Sequence, residues 1–364
     1  MIQVVDRGIF ALLGRRMKLS LLVEEYKRSR GEPISRPEVE LRRLNASAEP
    51  ALHYGLNPEF ARAILHCIIG ESCKVQMIQL QDFAGLYPEA ETEESREQRL
   101  KQNLLELTAQ CAPTYDEQYG QAFYATRLHA GFEEAQISKL AQENTGGLGI
   151  DLGCATGRHT AHLAPHFTRV VGYDISPDMI GVAKQKNVAP NVEFQVQDLE
   201  EGIPLPDESV SLVIMSMGTA SDIPRTPQLL REIRRVLKRG GRAFLSFYNS
   251  KALIYDWGFI PWPVGLAAEL DIHKRCLNVL WDKDGMKHIY SVHAEPRAPE
   301  EVEELLPRGL ALATSTTHPT LASILPDLLF GRENVQASVA DLDLRLAQEG
   351  DNKGAYLTVI ARKS

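Results

Sequence analysis

Two carboxylates and two glycines carry the clearest chemistry in this sequence. In Ile150-Asp151-Leu152-Gly153-Cys154-Ala155-Thr156-Gly157 an apolar run ends in a glycine-rich turn, and Arg158-His159-Thr160 opens a helical pattern behind it. Gly153 and Gly157 are positions where backbone can approach a ligand that a Cβ would strike. The next run, Val170-Val171-Gly172-Tyr173-Asp174, ends about twenty residues on in an acid able to accept hydrogen bonds from both hydroxyls of a ribose. A third run delivers Gln197-Asp198-Leu199, an acid suited to an adenine amino group with an apolar neighbour for the ring. On successive strand ends, these groups describe a nucleoside site at the edge where open α/β sheets bind ligands. The turn lacks the close GxGxxG triplet that cradles a pyrophosphate, which disfavours a dinucleotide.

A second set lies near the N-terminus. Arg16 and Lys27 are eleven residues, or three helical turns, apart, so both cations point the same way. Ser72 and Gln76 form an i, i+4 pair, as do Arg36 and Glu40. By spacing alone each pair is an ordinary solvated helix face. A third set, Tyr248, Asn249, His288, Tyr290 and His293, falls in the long stretch 248–295, with His159 at the glycine turn. These are candidates for the side of a site that binds an acceptor and removes its proton. In a strand-like segment His288 and His293 fall on opposite faces, so they are not read as metal ligands, and no metal is expected.

The elements that must position these residues change character along the chain. From Val4 to about Tyr26 the apolar residues Val5, Ile9, Leu12, Leu13, Leu19 and Val23 recur at helical spacing. Gly31-Glu32-Pro33 and Pro37 break that helix, a second runs from about Glu38 to Ala46, and a third begins at Asn57-Pro58-Glu59 with a cap and a proline in the first turn. Residues 1–82 read as all-helical. Residues 87–102 are acidic, then mixed, and suggest an exposed linker helix within 83–112. From Gly147 the runs LGIDLG, VVGYD, VEFQV, SLVIM, RAFLSF and AYLTVIA alternate with helical patterns, the mark of a parallel sheet. The sheet domain is assigned to 113–364, with 248–295 an insertion covering the substrate edge.

Length and charge bound the rest. At 364 residues two domains are expected. A net charge of -8 argues against nucleic acid as partner and for a small molecule. The five cysteines are odd in number and without CxxC spacing, as expected of a reducing cytoplasm. No segment offers eighteen uninterrupted apolar residues, so no membrane span is expected.

The ordered set from the glycine turn through Ile214-Met215-Ser216-Met217-Gly218 and the helix LLREIRRVL before Lys238-Arg239-Gly240-Gly241 resembles the class I methyltransferases over roughly residues 113–364. The resemblance implies a Rossmann-like α/β domain with a seven-stranded, mostly parallel sheet and a reversed C-terminal hairpin. It also implies S-adenosylmethionine as methyl donor, held by Asp151, Gly153, Cys154, Ala155, Gly157, Asp174, Ile175, Asp198, Leu199 and Met215. ALLGRRMKLSLLVEEYK, PISRPEVE and AILHCIIGESCKVQ resemble the AroQ-class chorismate mutases and their relative isochorismate-pyruvate lyase. That implies a three-helix all-α subunit intertwined with a second copy. Arg16 would grip a carboxylate, Lys27 and Gln76 reach the ether oxygen, and Glu40 and Ser72 hold the remaining polar groups. The family has an arginine where this chain has Val39, and a further N-terminal arginine that would precede this sequence.

The function expected is therefore a bifunctional, homodimeric enzyme. Its helical domain acts on chorismate-like compounds, and its sheet domain methylates a related aromatic or keto-acid metabolite. Two alternatives stand beside it: a carboxy-S-adenosylmethionine synthase-like enzyme using prephenate, and a methyltransferase regulated by a catalytically dead mutase-like module for dimerisation and ligand sensing. Tyr248, His288 and His293 are the acceptor-side candidates.

Overall fold

The computed structural model describes residues 2–30, 37–83, 92–120, 124–187, 189–256, 267–271, 274–283, 286–325 and 330–364. Four helices open the chain: α1 (Ile2–Ser29), α2 (Pro37–Ala46), α3 (Ala48–His53) and α4 (Pro58–Phe83). The first three all pack on α4. Asn57 Oδ1 accepts from the N–H groups of Glu59 and Phe60 at 2.9 and 3.2 Å, so α4 starts at the cap expected of it. The short α3 is an addition to the three expected helices. Its Pro50 lies in the first turn, where a missing N–H costs nothing.

The acidic stretch does form a helix, α5 (Glu93–Cys111), capped by Thr92, whose Oγ1 accepts from Ser95 N at 3.2 Å. It is not the exposed linker predicted. Leu100, Leu107 and Cys111 are buried and Leu104 half-buried, a stripe at 4-3-4 spacing on one helix face. The helices α6 (Tyr115–Gly120) and α7 (Tyr124–Glu143) lead into the sheet.

Its strands are β1 (Leu148–Leu152), β2 (Arg169–Asp174), β3 (Val192–Val196), β4 (Val210–Met215) and β5 (Leu237–Tyr248). Between them run α8 (Arg158–Leu163), α9 (Pro177–Lys186) and α10 (Thr226–Val236). A second sheet follows α11 (Leu253–Asp256): β6 (Ala267–Asp271), β7 (Cys276–Lys283) and β8 (Met286–His293), an antiparallel meander. The chain ends with α12 (Val302–Leu305), β9 (Leu310–His318), α13 (Leu321–Ile324), α14 (Glu333–Gln348) and β10 (Tyr356–Lys363).

The large sheet has seven strands in the order β3-β2-β1-β4-β5-β10-β9. β1 to β5 pair in parallel, and β10 is antiparallel to both neighbours, so the C-terminal hairpin is reversed as expected. Alternation along each strand separates two cores. Leu212, Ile214 and Phe244 meet Ile137 and Leu140 of α7 on one face, while Val213, Met215 and Leu245 meet Leu229 and Ile233 of α10 on the other. The helices thus cover both faces and leave the carboxyl edge of β1 to β4 for a site. On the smaller sheet, Leu104 and Leu107 of α5 pack against Val279, Tyr290 and Val292, which brings α5 over that edge.

Candidate functional site

The turn after β1 closes on the end of β2. The N–H groups of Gly153 and Cys154 both donate to Tyr173 O, at 2.8 and 2.9 Å. Gly153, Ala155 and Gly157 all take positive φ, of 74, 45 and 79°. Both glycines also pack closely against protein, where a side chain would collide. A Cβ on Gly153 would sit 2.3 Å from Thr219 Cγ2, and one on Gly157 would sit 2.7 Å from the Phe194 ring.

Asp174, at the end of β2, is tied to that turn. Its Oδ2 accepts from Ala155 N at 2.8 Å and its Oδ1 from Ser176 N at 2.9 Å. A carboxylate offers about four acceptor positions, so one on each oxygen stays open toward the cavity. Burial raises its pKa above the ordinary carboxylate value, against the two backbone N–H bonds. Asp198, at the end of β3, accepts from Glu200 N at 2.9 Å through Oδ1 and from Lys101 Nζ at 2.7 Å through Oδ2.

One cavity gathers these groups. Gly153, Ala155, Asp174, Ile175, Asp198 and Leu199 line it. The other four donor-side residues stand elsewhere. Asp151 faces α8, where Thr160 Oγ1 donates to its Oδ2 at 2.6 Å, and burial pushes its pKa up to about 7. Cys154 packs among Ile180, Ala183 and Phe194. Gly157 caps α8, and Met215 is buried in the sheet core.

On the acceptor side, His293 also lines the cavity. Its Nε2 has no hydrogen-bond partner among the described residues, and burial holds its pKa down at about 4, helped by Arg96, Arg275 and Arg297. Tyr248 abuts the β4 turn, since a Cβ on Gly218 would lie 2.5 Å from its ring, and its backbone N–H donates to Ser221 Oγ at 2.9 Å. Tyr290 faces α5, where Gln110 donates to its hydroxyl. His288 lies on β8, paired with Trp281, but its side chain is outside the described residues. Asn249 is structural, its Nδ2 donating to Asn352 O and Gly354 O at 2.8 and 2.7 Å. His159 is buried away from the cavity with its pKa lowered to about 4 by that burial.

The turn after β4 is anchored from behind. Glu133 Oε2 accepts from Met217 N at 2.7 Å, and Glu133 Oε1 lies 2.9 Å from His129 Nε2, both side chains being fully buried. Burial pushes the Glu133 carboxyl up, and the His129 ring, Ser246 and Met217 N–H together hold it below its ordinary value. This anchor gave no sequence signal. Nor did Lys101, Glu97 and Thr108 of α5, or Asp222, which complete the cavity wall. The 4-3-4 stripe through Leu100, Leu104 and Leu107 could have shown that α5 is packed.

In the helical region Arg16 Nη1 donates to Ser72 Oγ at 3.0 Å, so two of the residues expected to share a pocket do meet. Ser72 Oγ in turn donates to Ile68 O at 2.6 Å. Lys27 is half-buried further along α1, and Val39 half-buried on α2. Arg36 and the side chains of Glu40 and Gln76 lie outside the described residues.

Comparison with known proteins matches both regions to families. Residues 150–245 match the model of the methyltransferase domain, and residues 1–77 that of chorismate mutase type II. The biotin biosynthesis bifunctional protein BioHC of Cellvibrio japonicus is 34% identical over 105 residues, 29% of this chain and 20% of its own length. The malonyl-[acyl-carrier protein] O-methyltransferase of Yersinia pestis is 32% identical over 113 residues, 30% of this chain and 40% of its own. The chain thus matches less than half the length of either relative. A crystal structure of an S-adenosylmethionine dependent methyltransferase from Mesorhizobium loti aligns over 63% of this chain and 96% of its own, at 18% identity and a TM-score of 0.40. Among the described residues no helix is long and apolar enough to cross a membrane.

Proposed function

We propose that this chain, a chorismate mutase type II domain followed by a methyltransferase domain, is a bifunctional enzyme. Its sheet domain methylates a small aromatic or keto-acid metabolite derived from chorismate or prephenate. The observation that carries the reading is Asp174: a half-buried acid at a strand end, held by two backbone N–H groups and keeping an acceptor position on each oxygen. Those positions suit the two hydroxyls of a ribose, with Asp198 for the adenine amino group and Ile175 and Leu199 against the ring. S-adenosylmethionine would supply an electrophilic methyl group on a sulfonium sulfur. The chain's work is then alignment, by the Gly153 turn with the neighbouring Thr219 and by His293, all lining the cavity, with Tyr248 hydrogen-bonded to Asp222 beside them. His293, held neutral by burial and by the nearby Arg96, Arg275 and Arg297, would accept a hydrogen bond from the acceptor and orient it rather than hold its proton.

In the helical domain, Arg16 and Ser72 would hold a dicarboxylate, with Lys27, Glu40 and Gln76 completing the pocket. A homodimer through this domain is supported by α1, where Ile2, Val5, Ile9, Leu12, Leu19 and Val23 are all exposed in the single chain. Five cysteines, odd in number and without CxxC spacing, support a cytoplasmic setting. Val39, where the family has an arginine, favours a second reading, in which the helical domain binds its ligand without turning it over and regulates methylation.

Incubation with chorismate and S-adenosylmethionine, separately and together, followed by mass spectrometry, tests the reading. Prephenate formed without the donor excludes the inactive-module reading, and a carboxylated donor excludes simple methylation. If chorismate is untouched and the donor neither binds nor reacts, the proposal fails.

A further inference from the structure

Asp222 is a half-buried acid in the same cavity that the proposed function leaves unused. It follows the short turn Thr219–Ser221 after β4 and lines the cavity together with Gly153, Asp174 and His293. Tyr248 hydrogen-bonds its side chain, whereas its Oδ1, shielded from solvent, has no partner among the described residues. Burial raises its pKa well above the ordinary carboxylate range, favouring the neutral acid until a cation is close enough to stabilise the carboxylate.

The position relative to the nucleoside groups is informative. A nucleoside with its base at Asp198 and its hydroxyls on Asp174 directs its 5′ substituent away from Asp198. The turn bearing Asp222 begins at Thr219, which is packed against Gly153 beside Asp174. A 5′ substituent passing Gly153 therefore runs toward that turn, and the group waiting there is an acid with one oxygen unsatisfied.

We propose that Asp222 is the counter-charge for a cation carried on the 5′ substituent of the bound nucleoside, so that the site distinguishes a charged sulfonium from the neutral thioether. The inference rests on the donor reading above and gives it a direction. Once the methyl group has left, the sulfur is neutral, the carboxylate loses its partner, and the product is released more readily than the donor is. Lys101 is not the cation that pairs with Asp222, since it is engaged by Asp198 and Glu200.

Calorimetric titration of the full chain with three ligands tests this: S-adenosylmethionine, S-adenosylhomocysteine, and the analogue in which a protonated amine replaces the sulfonium. The unaltered chain is expected to bind both cations about tenfold more tightly than the thioether. Asp222→Asn, which keeps the shape and an acceptor for Tyr248, is expected to bring all three within about threefold, with thioether affinity unchanged. Equal affinities in the unaltered chain overturn the inference, as does a variant that keeps the preference or weakens all three alike. The comparison of the amine with the thioether needs no variant, so a folding defect in Asp222→Asn leaves the question decidable. If none of the three binds the unaltered chain, the donor reading itself has failed.

Discussion

Lys101 Nζ donates to Asp198 Oδ2 at 2.7 Å, joining the helix that precedes the sheet domain to the acid at the end of β3. The same ammonium lies 2.8 Å from Glu200 Oε1, and Arg225 reaches both Glu200, at 3.8 Å, and Glu97 on α5, at 3.3 Å. One side of the candidate cavity thus carries a run of alternating charges to which α5 contributes Glu97 and Lys101. Its apolar stripe holds the helix on β8 and α9 while its N-terminal half faces the ligand edge.

This places Lys101 on the acceptor that an adenine amino group needs. A half-exposed ion pair is worth at most about 1 kcal/mol, so displacing it should be a modest cost to binding. Lys101→Met is expected to raise the affinity for S-adenosylhomocysteine by up to about fivefold and to flatten its salt dependence, both read by calorimetry. Weaker binding in the variant would show that the ammonium contacts the ligand instead of competing with it.

The central strands were legible because they are buried on both faces, so that Ile150, Val171, Val213 and Leu245 stand in nearly continuous apolar runs. β9 was not: it is the edge strand, and Ala311, Ala313, Thr314 and Ser315 are exposed, with only Leu312 among them large enough to mark a core face. Among the residues lining the candidate cavity, Asp174 and Asp198 were legible through the rule that ligands sit at strand ends. Asp222 was not, since an aspartate in a turn after a strand is an ordinary turn residue until its burial is known. The role of α5 is set by contacts with distant chain, such as Asn103 Nδ2 donating to Ser291 O at 2.9 Å, which no local pattern announces.

Replacing Asp174 separates its two tasks. In Asp174→Asn the amide nitrogen must face the N–H of either Ala155 or Ser176, donor against donor, and one ribose acceptor is lost. S-adenosylhomocysteine affinity is expected to fall at least tenfold, and thermal unfolding to show a loss of about 1–3 kcal/mol. Unchanged affinity in a folded variant would remove Asp174 from the ribose site.

Asp151 supplies a pH signature independent of any ligand. Burial raises its pKa from 3.8 to about 7, with Thr160 holding one oxygen and the other unpartnered among the described residues. A carboxyl whose folded pKa is raised stabilises the fold fully below its unfolded pKa and loses that contribution as pH rises through the folded value. Stability to urea should therefore decline between about pH 4 and pH 7 by a few kcal/mol at most. Asp151→Asn, which keeps an acceptor for Thr160, should flatten this decline and be the more stable form at pH 8. A variant with the same pH profile as the unaltered chain would place the titrating group elsewhere.

The helical domain makes the sharpest prediction about assembly. On α1 the line through Leu13, Met17, Ser20 and Glu24 is buried or half-buried, while the adjacent line through Val5, Ile9, Leu12, Leu19, Val23 and Tyr26 is 49–67% exposed. Burying a single leucine side chain is worth about 2 kcal/mol, so a continuous apolar line left in water is a large unrealised stabilisation that a second copy would recover. Leu12→Glu combined with Leu19→Glu puts two like charges into that line without touching the buried one. Sedimentation is expected to show a dimer for the unaltered chain and a monomer for the double variant. S-adenosylhomocysteine binding should persist in the monomer, because the cavity residues all belong to α5 and the sheet domain. A monomeric unaltered chain would show that the exposed line serves something other than self-association.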